Sequence, residues 1–232
     1  MVALLQASAL ACSRGDRTLF SDLSLSVCAG QLWHVEGING AGKSTLLRTL
    51  AGLLPLQQGQ IEYRQQPLAE QLDGFYRELL FIGHKAAVKA DLTALENLAF
   101  QRQMDGVAAN VNDDWDILER IGLLGLEDIP ARQLSAGQQR RIALARLWAN
   151  QATVWILDEP FTALDQPGIR LLQQRFLSHL DAGGAIVMTS HQALHDFAGD
   201  YRRLTLLTES ASSTADQASV TATTQGASDE YA

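Results

Sequence analysis

Two hydrophobic periodicities take turns along the chain. LLQASAL (4–10) and TLFSDLSLSV (18–27) alternate apolar and polar residues in part, with a charged turn at Arg14-Gly15-Asp16-Arg17 between them, and predict two strands. QLWHVEG (31–37) predicts a short strand running directly into glycine-rich sequence, and STLLRTLAGLL (44–54) has helical spacing. Gln57–Gln60 with Gly59 reads as a turn, and Gln60-Ile61-Glu62-Tyr63 as another strand. From about Thr93 to Ala149 the strand signal fades. TALENLAFQRQM, WDILERIGLL and AGQQRRIALARLWAN carry helical patterns, and Thr93 with Glu96 three residues on has the form of a capping box. Strand pattern returns at VWILD (154–158) and AIVMTS (185–190), with helical sequence between them. The order β/α, helical, β/α predicts an α/β fold with a helical subdomain inserted at about 86–149.

Composition narrows the class. The chain has 232 residues, 47% of them apolar and 19% charged, which suits a packed core and excludes disorder throughout. No run reaches the roughly 18–20 apolar residues of a membrane span, and no charged region precedes the apolar start, so the expectation is a soluble chain without a secretory signal. Two cysteines, Cys12 and Cys28, lack CxxC spacing, so neither a disulfide framework nor a zinc site is indicated and a reducing cytosol is expected. The net charge is −8, and half of it lies in the last 24 residues, which hold Glu209, Asp216, Asp229 and Glu230 but no Lys or Arg. No part has the basic excess of a nucleic-acid binder, so no nucleic-acid partner is expected. The stretch 209–232 is mostly Ala, Ser and Thr and is expected to be disordered, leaving 1–208 as the folded domain.

The candidate chemistry begins at Gly37-Ile-Asn39-Gly40-Ala41-Gly42-Lys43-Ser44, which fits G-x4-G-K-[ST] and sits between a strand and a helix. Glycines let the backbone close around a triphosphate with its N–H groups inward, and the helix adds its positive end. Lys43 can reach the β- and γ-phosphates, and the Ser44 hydroxyl can ligate Mg²⁺. A second piece is Val154-Trp-Ile-Leu-Asp158-Glu159, a buried-type strand ending in two acids. An Asp there can hold Mg²⁺ through water, and the next carboxylate can orient or deprotonate an attacking water.

Leu134-Ser135-Ala136-Gly137-Gln138-Gln139-Arg140-Arg141 resembles the LSGGQ signature of ABC ATPases. Other landmarks follow in that family's order: Asp158-Glu159-Pro160, Ala163-Leu164-Asp165 and Thr189-Ser190-His191. The resemblance spans about residues 3–208 and implies a P-loop NTPase with a RecA-like core, an N-terminal antiparallel β portion and the helical insertion. It also implies a head-to-tail dimer closed over ATP. One subunit supplies Lys43, Ser44, Thr45 and Asp158; a second copy supplies Ser135 and Gly137, with Gln138 beside them. Glu159 is then the general base, and His191 holds the γ-phosphate and the attacking water; His34, His179 and His195 receive no role.

Two departures from the family pattern stand out. His84, in Phe81-Ile82-Gly83-His84-Lys85, occupies the place of a glutamine that touches Mg²⁺; an imidazole can ligate a metal or water. Near Arg14–Arg17 the family often has an aromatic that stacks on adenine. Arg14 or Arg17 either stacks through its guanidinium plane or forms a solvated turn.

Leu10–Phe20, the Gly83-His84 pair and the LSAGQ variant together look like the CcmA group, ATP-binding subunits of the cytochrome c maturation ABC complex. The resemblance implies two such subunits beneath integral membrane partners (CcmB-like, with CcmC- and CcmD-like subunits) on the cytoplasmic face of a bacterial inner membrane. ATP hydrolysis there drives release of a haem-loaded periplasmic chaperone, once described as haem export. The rivals are the ATPase of another solute's transporter, a soluble ABC protein and a non-hydrolysing scaffold. The last sits poorly with Glu159 and His191.

Overall fold

In a computed structural model, residues 2–106, 111–192, 194 and 197–207 are described. The stretch 209–232 and His195 lie outside the described residues. The chain opens with two long antiparallel strands, β1 (Ala3–Arg14) and β2 (Arg17–Cys28). β1 also pairs antiparallel with β4 (Gln58–Tyr63), and β4 with β5 (Gln66–Pro67), giving a sheet of order β2-β1-β4-β5. β4 takes in Gln58 and Gly59, which read as a turn from composition. Pairing with β1 overrides the turn preference there, and the register shifts between Ser8 and Ala11 mark the irregularity.

The second sheet is parallel, in the order β6-β7-β8-β3-β9. Its strands are β3 (Gln31–Glu36), β6 (Leu79–Ile82), β7 (Val154–Asp158), β8 (Ala185–Thr189) and β9 (Asp200–Thr205). Every residue of β7 and β8 is buried, which explains their unbroken apolar runs: a parallel sheet is covered on both faces. Alternate residues serve opposite layers. Val154, Ile156, Ala185 and Val187 pack with Leu46, Leu47 and Leu50 of α1 (Lys43–Leu50) and with the antiparallel sheet through Leu5, Leu10 and Val27. Trp155, Leu157, Ile186 and Met188 pack with α6 (Gln166–Asp181) through Leu172, Phe176 and Leu180. A short helix, α2 (Leu72–Glu78), leads into β6 and buries Phe75.

α3 (Ala94–Met104), α4 (Val111–Arg120) and α5 (Ala136–Ala149) form their own apolar cluster, built on Leu98, Leu118, Leu123 and Ile142. The Thr93–Glu96 capping box opens α3 as its sequence predicts, and a buried ion pair, Arg102 Nε to Asp114 Oδ1 at 2.6 Å, ties α3 to α4. α5 belongs to both layers. Leu144 and Leu147 face the parallel sheet, Ile142 and Ala145 the helical cluster, and Trp148 packs against both. The helix is therefore the physical link between the two cores. No described helix is long and apolar enough to cross a membrane.

Candidate active site

The site forms at the carboxyl ends of the parallel strands, where open α/β sheets place their ligands. β3 runs into the glycine loop, and α1 starts at its far end with Gly42 as the N-cap. Gly42 adopts φ +97, and a Cβ there would lie 3.0 Å from that of Leu19, so the close turn needs glycine. α1 has no side-chain cap and no acidic residue in its first turn, so its free N–H groups and positive end face the cleft unneutralised. Lys43 Nζ donates to Gly37 O at 2.7 Å and Ile38 O at 3.3 Å, which holds the ammonium at the loop's mouth. Ala41 is buried and braces the loop from behind, its N–H donating to Ile38 O at 3.1 Å.

Asn39, Gly40, Gly42, Lys43, Ser44 and Thr45 line a cleft of about 480 Å³ together with His84, Asp158, Glu159 and His191. That size falls in the range of small-molecule sites. Residues singled out on four separate segments thus face one space. Gly37 and Ala41 stand in the loop without lining it. Arg14, Arg17 and Leu19 line the cleft as well, and no Phe, Tyr or Trp is among its described lining residues.

Across from the loop, Thr189 at the end of β8 organises the acids. Its fully buried hydroxyl donates to Asp158 Oδ1 at 2.7 Å and accepts from the Glu159 N–H at 2.9 Å. Glu159 sits at φ +53, a left-handed conformation uncommon for a residue with a side chain. Such a conformation persists where several contacts over-determine it. Here the Thr189 hydroxyl holds its N–H, and the His191 N–H donates to Oε2 at 3.1 Å. The other oxygen, Oε1, is buried without a hydrogen bond and lies 3.5 Å from His191 Nε2. A fixed carboxylate with one free oxygen at the edge of a phosphate-binding cleft has the geometry of a general base. The His191 side chain is 61% exposed, so it is free to meet a ligand.

Ser135, Gly137 and Gln138 do not line this cleft. They open α5, where Ser135 Oγ accepts from Gln138 N at 3.3 Å and Gln138 Oε1 accepts from Ser135 N at 2.8 Å. This reciprocal pair is a capping box, so the Gln138 side chain is engaged within its own helix. Gly137 lies where a Cβ would come 2.8 Å from Ala163 O, and only glycine allows α5 to approach that turn. Asp165, just beyond, caps α6 by accepting from Gly168 N at 3.1 Å. That bond, followed by its contact with Arg141 at 2.6 Å, holds its carboxyl below the usual range.

Sequence reasoning passed over Arg140. It is buried on α5, and its guanidinium spans two loops. Nη1 donates to Gly83 O at 3.0 Å with His84 O at 3.5 Å, and Nη2 donates to Asp158 O at 3.1 Å and Glu159 O at 2.8 Å. Burial lowers its pKa, and the neighbouring Asp158 and Glu159 charges oppose that fall. A signal was present in the sequence: 140, 143, 144 and 147 form one helical stripe, and a lone arginine heads an otherwise apolar face. His34, also without a role from sequence, is buried between Tyr201 OH at 2.6 Å and Ser190 O at 3.0 Å, and burial lowers its pKa.

The donor chemistry suits Mg²⁺, a hard ion that binds a few oxygens and keeps the rest of its shell as water and phosphate. Ser44 offers a hydroxyl and Asp158 a carboxylate in the same cleft, while His84, a nitrogen donor, fits better through water.

The profile of the ABC transporter family matches residues 20–162, and the chain belongs to this family. It is an ATP-binding domain with the fold of ABC ATPases. Among its curated relatives is the "Cytochrome c biogenesis ATP-binding export protein CcmA" of Idiomarina loihiensis, 60% identical over 82% of this chain and 87% of the relative. Proteins of the same name from Shigella flexneri and Escherichia coli K12 are 49% and 48% identical, each over 88% of this chain and 96% of the relative. Solved structures agree on the fold. An ATP-binding subunit of an ABC transporter matches with a TM-score of 0.75 at 22% identity, over 87% of this chain and 85% of that one. The ADP conformation of an ATP-binding cassette matches with a TM-score of 0.71 at 21% identity, over 89% and 88%.

Proposed function

We propose that the chain is the ATP-hydrolysing subunit of a membrane ABC complex for c-type cytochrome biogenesis, coupling hydrolysis to haem handling on its partners. The observation that carries this reading is a single cleft uniting the glycine loop, Asp158, Glu159 and His191 in a chain 60% identical to a protein named for that process.

In this reading Lys43 and the N–H groups of Gly40, Gly42 and Ser44 hold the phosphates, while Ala41, its N–H taken by Ile38 O, braces the loop. Ser44 and Asp158 hold Mg²⁺, with His84 reaching it through water; when bound, the ion neutralises charge on the phosphate oxygens. Glu159 takes a proton from the attacking water through its free Oε1, and His191 steadies the γ-phosphate end. Ser135, Gly137 and Gln138 stand outside this cleft, which supports a role toward the nucleotide of a second copy in a head-to-tail dimer. The membrane-spanning parts are then other chains, CcmB-like with CcmC- and CcmD-like subunits, and this chain sits peripherally on the cytoplasmic face of a bacterial inner membrane. The haem chaperone is an indirect partner.

The test is covalent haem staining of membrane and periplasmic proteins in the source bacterium, comparing wild type with Lys43→Ala. Loss of c-type cytochromes, with haem-loaded chaperone accumulating, is the expected result. Normal cytochromes beside a variant shown to be inactive, with no redundant copy, would transfer the chain to another ABC system.

A further inference from the structure

α5 starts at Ser135–Gly137, away from the cleft, yet its fifth helical residue reaches the cleft's machinery. Arg140 is 4% exposed, and no carboxylate forms an ion pair with it among the described residues. A buried guanidinium is retained at a cost in desolvation, so the groups it satisfies indicate its use. All four of its acceptors are main-chain carbonyls on two loops, Gly83–His84 and Asp158–Glu159. It therefore contacts the backbone of the two segments that present His84 and Glu159 to the cleft.

Glu159 makes this arrangement consequential. Its φ of +53 is held from one side by the Thr189 hydroxyl on its N–H and from the other by Arg140 on its carbonyl. If the second hold is removed, the peptide after Glu159 can relax toward an ordinary conformation, which re-aims the carboxylate. The planar fork is essential to this. Two nitrogens of one rigid plane fix two loops at a set separation, whereas an ammonium is a single point.

We propose that Arg140 is a positioning residue for hydrolysis: it locks the Glu159 and His84 loops to α5, so that the start of that helix and the general base move as one body. Whatever engages Ser135 and Gly137 is thereby felt at the carboxylate through five residues of rigid helix. The inference rests on the reading of Glu159 as the general base.

The experiment compares steady-state ATP hydrolysis by the full chain with that of Arg140→Lys and Arg140→Gln, with Glu159→Gln in parallel. Nucleotide affinity is measured separately by calorimetry. A misplaced base lowers kcat and leaves nucleotide binding alone, so kcat should fall about 10- to 100-fold in both variants while KM and ATP affinity stay within about threefold. Lysine, although it keeps the charge, should not rescue. A kcat within about twofold of wild type in either variant would overturn the proposal. So would loss of nucleotide binding together with cooperative melting in both variants, because Arg140 would then serve only the fold. Undiminished turnover in Glu159→Gln would remove the base itself, a different failure from that of Arg140.

Discussion

α1 and α5 both begin beside the sequence motifs that resemble those of ABC ATPases, and they begin in opposite ways. α1 starts behind a glycine with no side-chain cap, and the Lys43 ammonium rests on carbonyls of its own loop. α5 starts behind Ser135, whose hydroxyl and backbone N–H are both satisfied by Gln138 in a closed capping box. A helix start whose donors stay free is suited to an anion that will fill it. One that has capped itself is stable alone, and a ligand there must add to contacts already made. The difference separates a primary phosphate cradle from a surface that acts only once a second body arrives.

The comparison is sharpest where the effects are largest. Glu159→Gln should bind ATP within about threefold of wild type while turnover falls about 10²- to 10⁴-fold, read by calorimetry and phosphate release. Comparable turnover would show that the cleft beside α1 works without this carboxylate. Lys43→Ala removes the ammonium at the start of α1 and leaves Arg14 and Arg17 in the cleft. Loss of charge-assisted bonds to phosphate worth about 2–3 kcal/mol predicts ATP binding weakened by roughly 30- to 150-fold. Unaltered affinity in titration calorimetry would erase the distinction between the two helix starts.

How far the sequence carried depended on whether a segment acts locally. β7 and β8 fall where their apolar runs lie, because strands buried on both faces read as near-continuous apolar runs, here ending in Asp158 and Thr189. The glycine loop is legible because its chemistry is contiguous. β6, a strand of four residues, β9, a mostly unburied edge strand, and α2, a seven-residue helix, carry little pattern of their own and take their conformation from neighbours already in place. Within the site, the Asp158–Glu159 pair and His191 were visible as residue types. The Thr189 hydroxyl that serves both acids, the left-handed Glu159 and the Arg140 fork across two loops arise only from tertiary contact.

Acid sensitivity offers a control on the comparison, because a histidine with a strongly lowered pKa lies at the other end of the parallel sheet. His179 stacks on Trp155 with ring centres 3.6 Å apart and bonds to Thr153 O at 3.2 Å, just before β7 begins. Burial, reinforced by the Arg175 charge, lowers its pKa to about 4 from an ordinary 6.5. The unfolded chain therefore takes up a proton first as pH falls, and the folded state, whole above about pH 6.5, loses stability down to about pH 4. By pH 5 this amounts to about 2 kcal/mol. Urea melts at pH 7 and pH 5 should show wild type losing about that much more than His179→Phe. Equal losses would place the acid-labile group elsewhere, including at the cleft.

The smallest effect discriminates best. Ser135→Ala deletes the acceptor for the Gln138 N–H and should lower stability by about 1 kcal/mol, a few degrees in Tm. It should leave ATP affinity of a lone subunit unchanged, because Ser135 does not line the cleft. Alanine alone cannot tell a lost cap from a lost phosphate contact, but Ser135→Asp can. Aspartate caps a helix about as well as serine, so the fold should melt within roughly 0.5 kcal/mol of wild type. Its carboxylate would, however, repel any phosphate presented by a second copy. Stable Ser135→Asp protein that binds ATP but turns over at least about tenfold more slowly is the expected outcome, since a like charge at a phosphate contact opposes closure. Full turnover would mean that the start of α5 is only a capped helix end, and the two helix starts would then differ in structure without differing in function.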